Sequence, residues 1–354
     1  MNTLFFRDKP IIGLDVSQTG IKVMAINSKR FLVEGYGSVD LDPVKAQKML
    51  EDKDTSYLSE NIKELIDHHI VGILPSKHVV LGIPTNRSYS HTFTLPIKAE
   101  KSIRDTVELE VNQYIPVPYE TLYIDYEIID RTKDDLTAIL SAAPKEIVDH
   151  IVEATKAAGL QPIMVEPSIN AVARILRATE RADMSTVIID IGATGTDIAV
   201  FNHGAIRVTG FAAAGGNSFT LAIAKALKTD LENAHQLKVL SGLNHGSRQA
   251  KLTDALSPSL DKIGTEIVKI IRYYNDRLNP NKTDKIEQIL IVGGGANVPG
   301  IGEYFTDLLG MPARVAIPWQ KMNFEKLPQP DKQYRSRYAT VAGLASAPRG
   351  EILL

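Results

Sequence analysis

The chain has no cysteine among its 354 residues and only one tryptophan. The missing cysteines exclude disulfide bonds, thiolate catalysis and cysteine-ligated metal sites. Its 40 lysines and arginines nearly balance its 42 aspartates and glutamates, which gives a formal net charge of −2. No dense basic run occurs, so nothing in the charge pattern favours nucleic acid as a partner.

Long apolar runs are also missing. No run approaches the roughly 18 apolar residues needed to span a bilayer. Residues 1–16 (MNTLFFRDKPIIGLDV) lack the apolar core and small-residue cleavage site of a signal peptide. The sequence therefore predicts a cytosolic globular protein, which would reach a membrane only through a partner.

A small-residue loop lies between two apolar runs in residues 187–201 (VIIDIGATGTDIAVF). Dinucleotide-binding folds and P-loop enzymes require a helix after such a loop. Here the following residues, DIAVF, are typical of a second strand. The pattern predicts a β-hairpin whose tip lets backbone N–H groups converge on phosphate oxygens.

A second copy of this hairpin lies near the N terminus. Aligned without a gap, residues 15–27 (DVSQTGIKVMAIN) and 190–202 (DIGATGTDIAVFN) share Asp, Thr, Gly and Asn at matching positions. Such a repeat indicates a duplicated domain. Either loop alone could be an ordinary turn, but the duplicate argues against that interpretation.

Together the two hairpins would clamp a metal-bound triphosphate. Asp15 and Asp190 are predicted to hold a hydrated Mg²⁺, since this ion keeps several waters and takes few carboxylates. Lys22 would neutralise phosphate charge. The predicted phosphate-binding tips are Ser17, Gln18, Thr19 and Gly20 in the first hairpin, and Gly192, Ala193, Thr194 and Gly195 in the second.

Two further glycine-rich turns precede predicted helices. GGGANVPG (293–300) follows the apolar run ILIV, and Gly293, Gly294 and Gly295 would allow close backbone approach to a ring or a phosphate. Alone this turn could be a plain strand-to-helix connection. Beside the twin hairpins it is a candidate adenosine contact, together with Asn297. Gly215 and Gly216 open another predicted helix and are predicted nucleotide contacts.

A compact unit is predicted between the two hairpins. Residues 98–114 form a predicted helix with Ile103, Val107, Val111 and Tyr114 on one face. Two strands, a helix ending near Gly159 and the strand QPIMVEP follow. This β-α-β-β-α-β succession predicts an inserted α+β subdomain over residues 86–165.

These motifs, in this order, resemble the actin-like ATPase superfamily, which includes actin, sugar kinases, chaperone ATPases and FtsA. The resemblance implies a duplicated α/β (ribonuclease H-like) fold with two lobes around a nucleotide cleft. VEPSINAVARIL (165–176) and RYATVAGLA (337–345) are similar to its two connecting helices. Glu166 takes the carboxylate position of the chaperones' NEPTAAAL and is the candidate catalytic residue.

The same resemblance divides the chain. It implies a first lobe of residues 1–85, 166–185 and 338–354, with the insertion at 86–165. It implies a second-lobe core of residues 186–215 and 290–337, with a helical subdomain at 216–289.

Within the superfamily the chain resembles the PilM family of type IV pilus assembly. The insertion precedes Glu166, as in PilM and FtsA. Glu110, Tyr114, Ile115 and Pro116 match PilM's Glu-x-x-x-Tyr-Ile-Pro pattern. FtsA continues into a linker and an amphipathic membrane helix, whereas this sequence ends at RGEILL. A sugar kinase would need an aspartate base beside a sugar pocket, and no motif predicts one.

The PilM resemblance implies an ATP- and Mg²⁺-binding protein at the inner face of the cytoplasmic membrane. It would bind the N-terminal tail of PilN between the insertion and the first lobe, and assemble with PilN, PilO and PilP beneath the pilus motor. HTFT (91–94), Tyr114 and Tyr119 lie in the insertion, but the sequence does not tell which residues line that groove. ATP binding with slow or no hydrolysis is expected. An FtsA-like filament, a small-molecule kinase and a homo-oligomer stay open.

The sequence departs from the chaperone ATPases at the predicted adenosine site. Chaperone ATPases hold it with a Glu-x-x-Lys pair, and here Lys238 matches the lysine while His235 replaces the glutamate. A neutral imidazole would bond a ribose hydroxyl more weakly than a carboxylate does. The alternative for Lys238 is a lysine on a solvated surface.

Overall fold

The computed structural model describes residues 11–27, 29–49, 54–180, 184–244, 249–279, 281 and 283–348. The sequence expectations on residues 1–10 and on the last residues, RGEILL, lie outside this part of the chain. Within it, no helix is both long enough and apolar enough to cross a membrane.

The chain alternates strands and helices along most of its length. The strands are β1 (Ile11–Ser17), β2 (Gly20–Asn27), β3 (Leu32–Asp40), β4 (Ile70–Gly72), β5 (His78–Ile83), β6 (Tyr89–Pro96), β7 (Leu122–Arg131), β8 (Asp135–Pro144), β9 (Gln161–Pro167), β10 (Thr186–Ile191), β11 (Thr196–Asn202), β12 (Ala205–Ala212), β13 (Gln288–Val292) and β14 (Ala313–Val315). The α-helices are α1 (Pro43–Lys48), α2 (Ser56–His68), α3 (Ile103–Tyr114), α4 (Lys145–Ala157), α5 (Ser168–Thr179), α6 (Gly216–Leu227), α7 (Leu231–Leu240), α8 (Gln249–Tyr273), α9 (Ile301–Leu309) and α10 (Ala339–Ala345).

The first lobe is built on a six-stranded sheet with the order β4-β3-β2-β1-β5-β9. Strand β1 pairs antiparallel with β2 and parallel with β5. Its residues 11–16 (IIGLDV) are all buried, as expected for a central strand covered on both faces. Helices α2 and α4 pack on one face of this sheet through a shared apolar core.

The second lobe repeats this arrangement with the order β12-β11-β10-β13-β14. Strand β10 pairs antiparallel with β11 and parallel with β13, as β1 does with β2 and β5. The predicted duplication is therefore confirmed. Strand β12 was not predicted, although it holds the place in this sheet that β3 holds in the first.

Helices α5 and α10 lie between the lobes, where their apolar residues share one core with both sheets. They cross without side chains between them, because a Cβ on Gly343 would overlap the backbone of Ala171. These are the two connecting helices that the sequence predicts.

The insertion has its own antiparallel sheet, ordered β6-β8-β7, and its own core with α3. This sheet ends at Pro144, earlier than the predicted boundary at 165. Helix α4 packs in the first-lobe core, and β9 pairs with β5 in the first-lobe sheet. The order of elements suggested one unit, but the apolar faces of α4 and β9 complete a different core.

The Glu-x-x-x-Tyr-Ile-Pro pattern at the end of α3 connects this helix to β6 through side-chain contacts. Tyr114, predicted on the apolar face, is 54% exposed. Its ring stacks on His91 with centroids 4.1 Å apart. The His91 Nε2 atom lies 3.0 Å from Glu110 Oε2.

Helix α8 contains a proline. It begins at Gln249 and continues through Pro258. Leu252 and Leu256 are buried and extend the apolar stripe of the helix. That packing maintains a helix despite the hydrogen bond that proline removes.

Candidate functional site

A cleft of about 490 Å³ lies between the two lobes, a volume typical of small-molecule sites. Most of the predicted site residues line it. They are Asp15, Ser17, Gln18, Thr19, Gly20, Lys22, Asp190, Gly192, Ala193, Thr194, Gly195, Gly216, His235, Lys238, Gly293, Gly294, Gly295 and Asn297. Gly215 and Glu166 are predicted site residues that are not part of this lining.

The first hairpin turns at Gln18 and Thr19. The Ser17 hydroxyl donates to the Gly20 carbonyl over 2.8 Å, which closes the turn. Lys22 stands opposite Asp15 in the strand ladder, with Nζ 3.1 Å from Oδ2. The first lobe thus brings an ion-paired cation and anion to the cleft floor.

The second hairpin is closed by the Gly192 N–H, which donates to the Gly195 carbonyl over 2.9 Å. The start of α6 docks on this tip, since the Gly216 N–H donates to the Gly192 carbonyl over 2.9 Å. A Cβ on Gly215 would lie 2.6 Å from the Gly192 oxygen and 2.9 Å from the Gly195 nitrogen. Gly215 therefore lies behind the tip and permits the close approach of α6.

Strand β12 supports the same tip from another side. A Cβ on Gly195 would overlap the Phe211 ring. Glycine at position 195 thus allows an aromatic ring to pack directly under the predicted phosphate loop.

Asp190 lies in the cleft beneath the glycine turn at residues 293–297. Gly293 has φ +85°, and a Cβ there would collide with Asp190 Oδ1. The Thr340 hydroxyl is 3.4 Å from Asp190 Oδ2. Burial, and then the charge of Asp15, raise the pKa of Asp190 to about 6, while Lys22 and Thr340 oppose this rise. The aspartates of the two lobes therefore interact across the cleft.

Asp197 is a cleft residue that the sequence interpretation missed. It stands opposite Asp190 in the ladder of the second hairpin. Its Oδ1 is buried and has no hydrogen-bond partner within the described residues. Burial, and then Asp190, raise the pKa of Asp197 to about 7, against the effect of Thr85. The repeat alignment pairs Asp197 with Lys22, and this equivalence could have revealed it.

These carboxylates fit a hydrated divalent cation. Asp15, Asp190 and Asp197 supply hard oxygen donors, and Asp197 Oδ1 needs a partner. In the described ranges no three acidic or imidazole groups are close enough to hold an ion by themselves. Mg²⁺ is usually bound by one or two carboxylates, with waters and substrate phosphates completing its shell. The donor set suits that mode of binding.

Lys238 is buried, which removes the alternative of a solvated surface lysine. Its Nζ donates to the Gly216 carbonyl over 3.0 Å and to Thr220 Oγ1 over 2.9 Å. Burial, and then Arg337, lower the pKa of Lys238 to about 8. His235 lies on the same helix nearer the surface, and burial, Lys238 and Arg337 lower its pKa.

The segment before α10 closes this side of the cleft. The Asn297 side-chain amide donates to the Gln333 carbonyl over 2.6 Å. The Arg337 guanidinium lies over the Tyr334 ring, 5.3 Å from its centroid. Arg337 also lies beside Gly294, where an added Cβ would be 3.5 Å from its side chain. Arg337 is the first residue of the second connecting motif, yet it was not predicted to face the cleft.

The catalytic role expected of Glu166 finds no support in this geometry. Its two oxygens accept from the Arg174 guanidinium at 2.6 Å and 2.7 Å. Arg174 also donates to the Gly343 carbonyl over 3.0 Å. Glu166 is only 5% exposed, and Ser168, two residues later, lines the cleft instead. The motif around Glu166 correctly marks the end of β9. Its carboxylate, however, is bound by Arg174, eight residues later in the chain.

Comparison with known proteins agrees with this architecture. The model of the family Type IV pilus assembly protein PilM matches residues 13–347. A solved PilM-PilN type IV pilus biogenesis complex matches with a TM-score of 0.79 and 21% identity, covering 96% of this chain and 99% of that one. MreB 5 of Spiroplasma citri, solved bound to AMPPNP, matches with a TM-score of 0.56 and 15% identity over 95% and 94% of the two chains. Cell division protein FtsA of Enterococcus hirae is 23% identical over 87% of this chain and 78% of its own length. The likenesses confirm the two-lobed actin-like fold.

Proposed function

Because this chain belongs to the family of the type IV pilus assembly protein PilM, we propose that it is an ATP-binding scaffold of the pilus inner-membrane platform. The main support for nucleotide binding is that Asp15 and Asp190 lie in the same cleft. They come from equivalent strands of the two lobes and interact across one cleft.

The proposed ligand is ATP with Mg²⁺. The two hairpin tips offer small residues and backbone N–H groups to the phosphates. One or two of the carboxylates of Asp15, Asp190 and Asp197 would hold the hydrated ion, and the bound ion would neutralise phosphate charge. The adenosine would lie between α7 and the turn Gly293–Asn297, near His235 and Lys238.

Slow or absent turnover is part of the proposal. A general base must lie within hydrogen-bond reach of the attacking water, and Glu166 is engaged by Arg174 away from the cleft lining.

The proposed partner is the N-terminal cytoplasmic tail of PilN, bound between the insertion and the first lobe. Support comes from the solved relative, which is a complex of PilM with PilN. The insertion has a separate core, so it can form one stable wall of a groove. It meets the first lobe through Tyr123, whose hydroxyl donates to Asp149 on α4 over 2.9 Å. Through PilN the chain would join PilO, PilP and the pilus motor at the inner membrane face.

Calorimetric titration tests both parts. The full chain is titrated first with ATP and Mg²⁺, and then with a peptide copying the N terminus of PilN from the same organism. Saturable binding of each at one site is expected. Failure of the peptide to bind, with or without nucleotide, would sink the scaffold proposal. Nucleotide-driven sedimentation without peptide binding would instead favour the FtsA-like alternative.

A further inference from the structure

Strand β12 has a β-bulge at Arg207. Its pairing with β11 shifts register between Val200 and Phe201, and Arg207 falls between their two partners on β12. A bulged residue is left outside the regular ladder and bends its strand, and such bulges recur beside functional sites. Arg207 is buried, and its Nε donates to the Asn202 carbonyl over 3.2 Å. The second lobe therefore holds the side chain of the bulged residue in place.

The insertion binds the backbone of the same residue. The Thr92 hydroxyl on β6 donates to the Arg207 carbonyl over 2.6 Å at a buried position. Ile139 on β8 packs against the core between the lobes, which includes Ile206 beside the bulge. A buried carbonyl that loses its hydrogen bond is costly. These contacts of the insertion therefore stabilise the bulged conformation of β12.

The opposite end of β12 supports the second phosphate tip. Phe211 stands opposite Asp197 in the ladder, and its ring packs under Gly195. Phe211 is four residues from Arg207, roughly 13 Å of extended strand. One short strand thus connects the contact with the insertion to the tip that is predicted to bind phosphate.

The entry to the insertion also approaches the second hairpin. The short helix Thr85–Arg87 directly precedes β6, and its last two residues line the cleft. Thr85 is buried, and it opposes the rise in the pKa of Asp197 that burial and Asp190 cause. The insertion therefore reaches the second hairpin at two places, at its first residues and through β12.

We propose that Thr92 is a positioning residue for the nucleotide phosphates, acting through the Arg207 bulge and β12 on the tip around Gly195. This inference rests on the proposed nucleotide-binding function and gives the insertion a role in the cleft besides partner binding. In the proposed complex this tip contacts the phosphates, while the adenosine lies against α7 and the glycine turn. Loss of the Thr92 contact should therefore weaken binding of a triphosphate more than binding of adenosine.

The test is a displacement assay on the full chain, with a fluorescent ATP analogue as the reporter and either ATP with Mg²⁺ or adenosine as the competitor. Thr92→Val should weaken ATP binding by about fivefold or more and adenosine binding by less than about twofold. Thr92→Ser keeps the hydroxyl and should bind ATP within about twofold of the parent. Thr94→Val, on the same strand but exposed, is the matched control and should change neither affinity.

Two results with Thr92→Val overturn the inference. Unchanged ATP affinity would show that the bulge does not position the tip. Equal losses for ATP and adenosine would show a general loosening of the cleft, as would failure of Thr92→Ser to restore ATP binding.

A second variant keeps the test decisive if Thr92→Val does not fold. Ile139→Ala keeps the hydrogen bond but trims the apolar contact with the core between the lobes. It should weaken ATP binding by about threefold and spare adenosine, and an unchanged ATP affinity would reject the inference. The two proposals can fail separately, since absence of ATP binding by the unaltered chain rejects both, whereas ATP binding that ignores these substitutions rejects this inference alone.

Discussion

Asp197 in the second hairpin occupies the position that Lys22 occupies in the first, each directly across the ladder from its hairpin's aspartate. The two halves of the repeat thus bring opposite charges to one cleft at equivalent places. The first half forms an ion pair, whereas the second places two carboxyls side by side. This asymmetry makes the second hairpin the natural side for a cation.

Removing the charge at Asp197 should stabilise the metal-free protein. The folded-state pKa values of Asp190 and Asp197 are raised to about 6 and about 7. The folded chain therefore holds more protons than the unfolded chain between about pH 4 and pH 7, and these groups make stability fall as pH rises through that window. Asp197→Asn should raise the melting temperature at pH 8 by several degrees, and by less at pH 5.

Thermal unfolding in the presence of a chelator measures this effect. Asp67→Asn, at an exposed aspartate on α2, is the control and should change little at either pH. The same Asp197→Asn variant should bind Mg²⁺ with ATP more weakly. A variant that is less stable than the parent at pH 8 would contradict the assigned burial of Asp197.

Adding a methyl group at Gly195 should disrupt the phosphate tip. The new Cβ would overlap the Phe211 ring, so Gly195→Ala should cost roughly 1–3 kcal/mol in the free energy of unfolding. We expect at least a tenfold loss in affinity for ATP with Mg²⁺. Gly294→Ala is the contrast, because its Cβ would meet only Arg337 at 3.5 Å. Equal stability losses for the two variants in denaturant unfolding would refute this explanation.

Breaking the Glu166–Arg174 pair should destabilise the fold. Arg174→Ala removes the bidentate partner of a carboxylate that is 5% exposed, and such losses cost about 3–5 kcal/mol. Arg177→Ala should cost little, because Arg177 lies on the same helix and its hydrogen bond within the described residues is a long one, 3.3 Å to the Gly204 carbonyl. Urea unfolding compares the two variants.

Glu166 itself can be tested by single-turnover hydrolysis. If Glu166→Ala abolished turnover at unchanged stability, the carboxylate would act in catalysis after all. We expect the opposite, with reduced stability and little change in any residual hydrolysis by the folded fraction.

Thr92 joins the insertion to the second lobe. Its hydroxyl donates to the Arg207 carbonyl over 2.6 Å at a buried position. Thr92→Val should cost about 1–3 kcal/mol, because it leaves that carbonyl unsatisfied, and should speed hydrogen exchange along β6 and β12. Thr94→Val, on the same strand but exposed beside Thr137, is the matched control. Unchanged exchange in β12 would show that the contact does not hold the insertion in place.

Local sequence patterns were enough to predict the two-lobed fold and most of the cleft residues. The duplicated hairpins, the glycine turn at 293–295 and helix α7 follow from short-range periodicity and turn residues, so their cleft positions were predicted. Asp197 could have been predicted from the repeat, because the alignment of the two hairpins pairs it with Lys22. Arg174 and Arg337 depend on contacts between distant segments, which no local pattern encodes. The sequence also did not predict that α4 and β9 pack with the first lobe, because this depends on tertiary contacts.

The crossing of α5 and α10 has a mechanical consequence. Gly343 leaves no side chain between the two helices, and Arg174 ties β9 and α10 together at the same level. A crossing packed backbone to backbone resists sliding and separation more than it resists a change of angle. We therefore expect any opening of the cleft to change the angle between the two helices at this crossing rather than to slide one helix along the other.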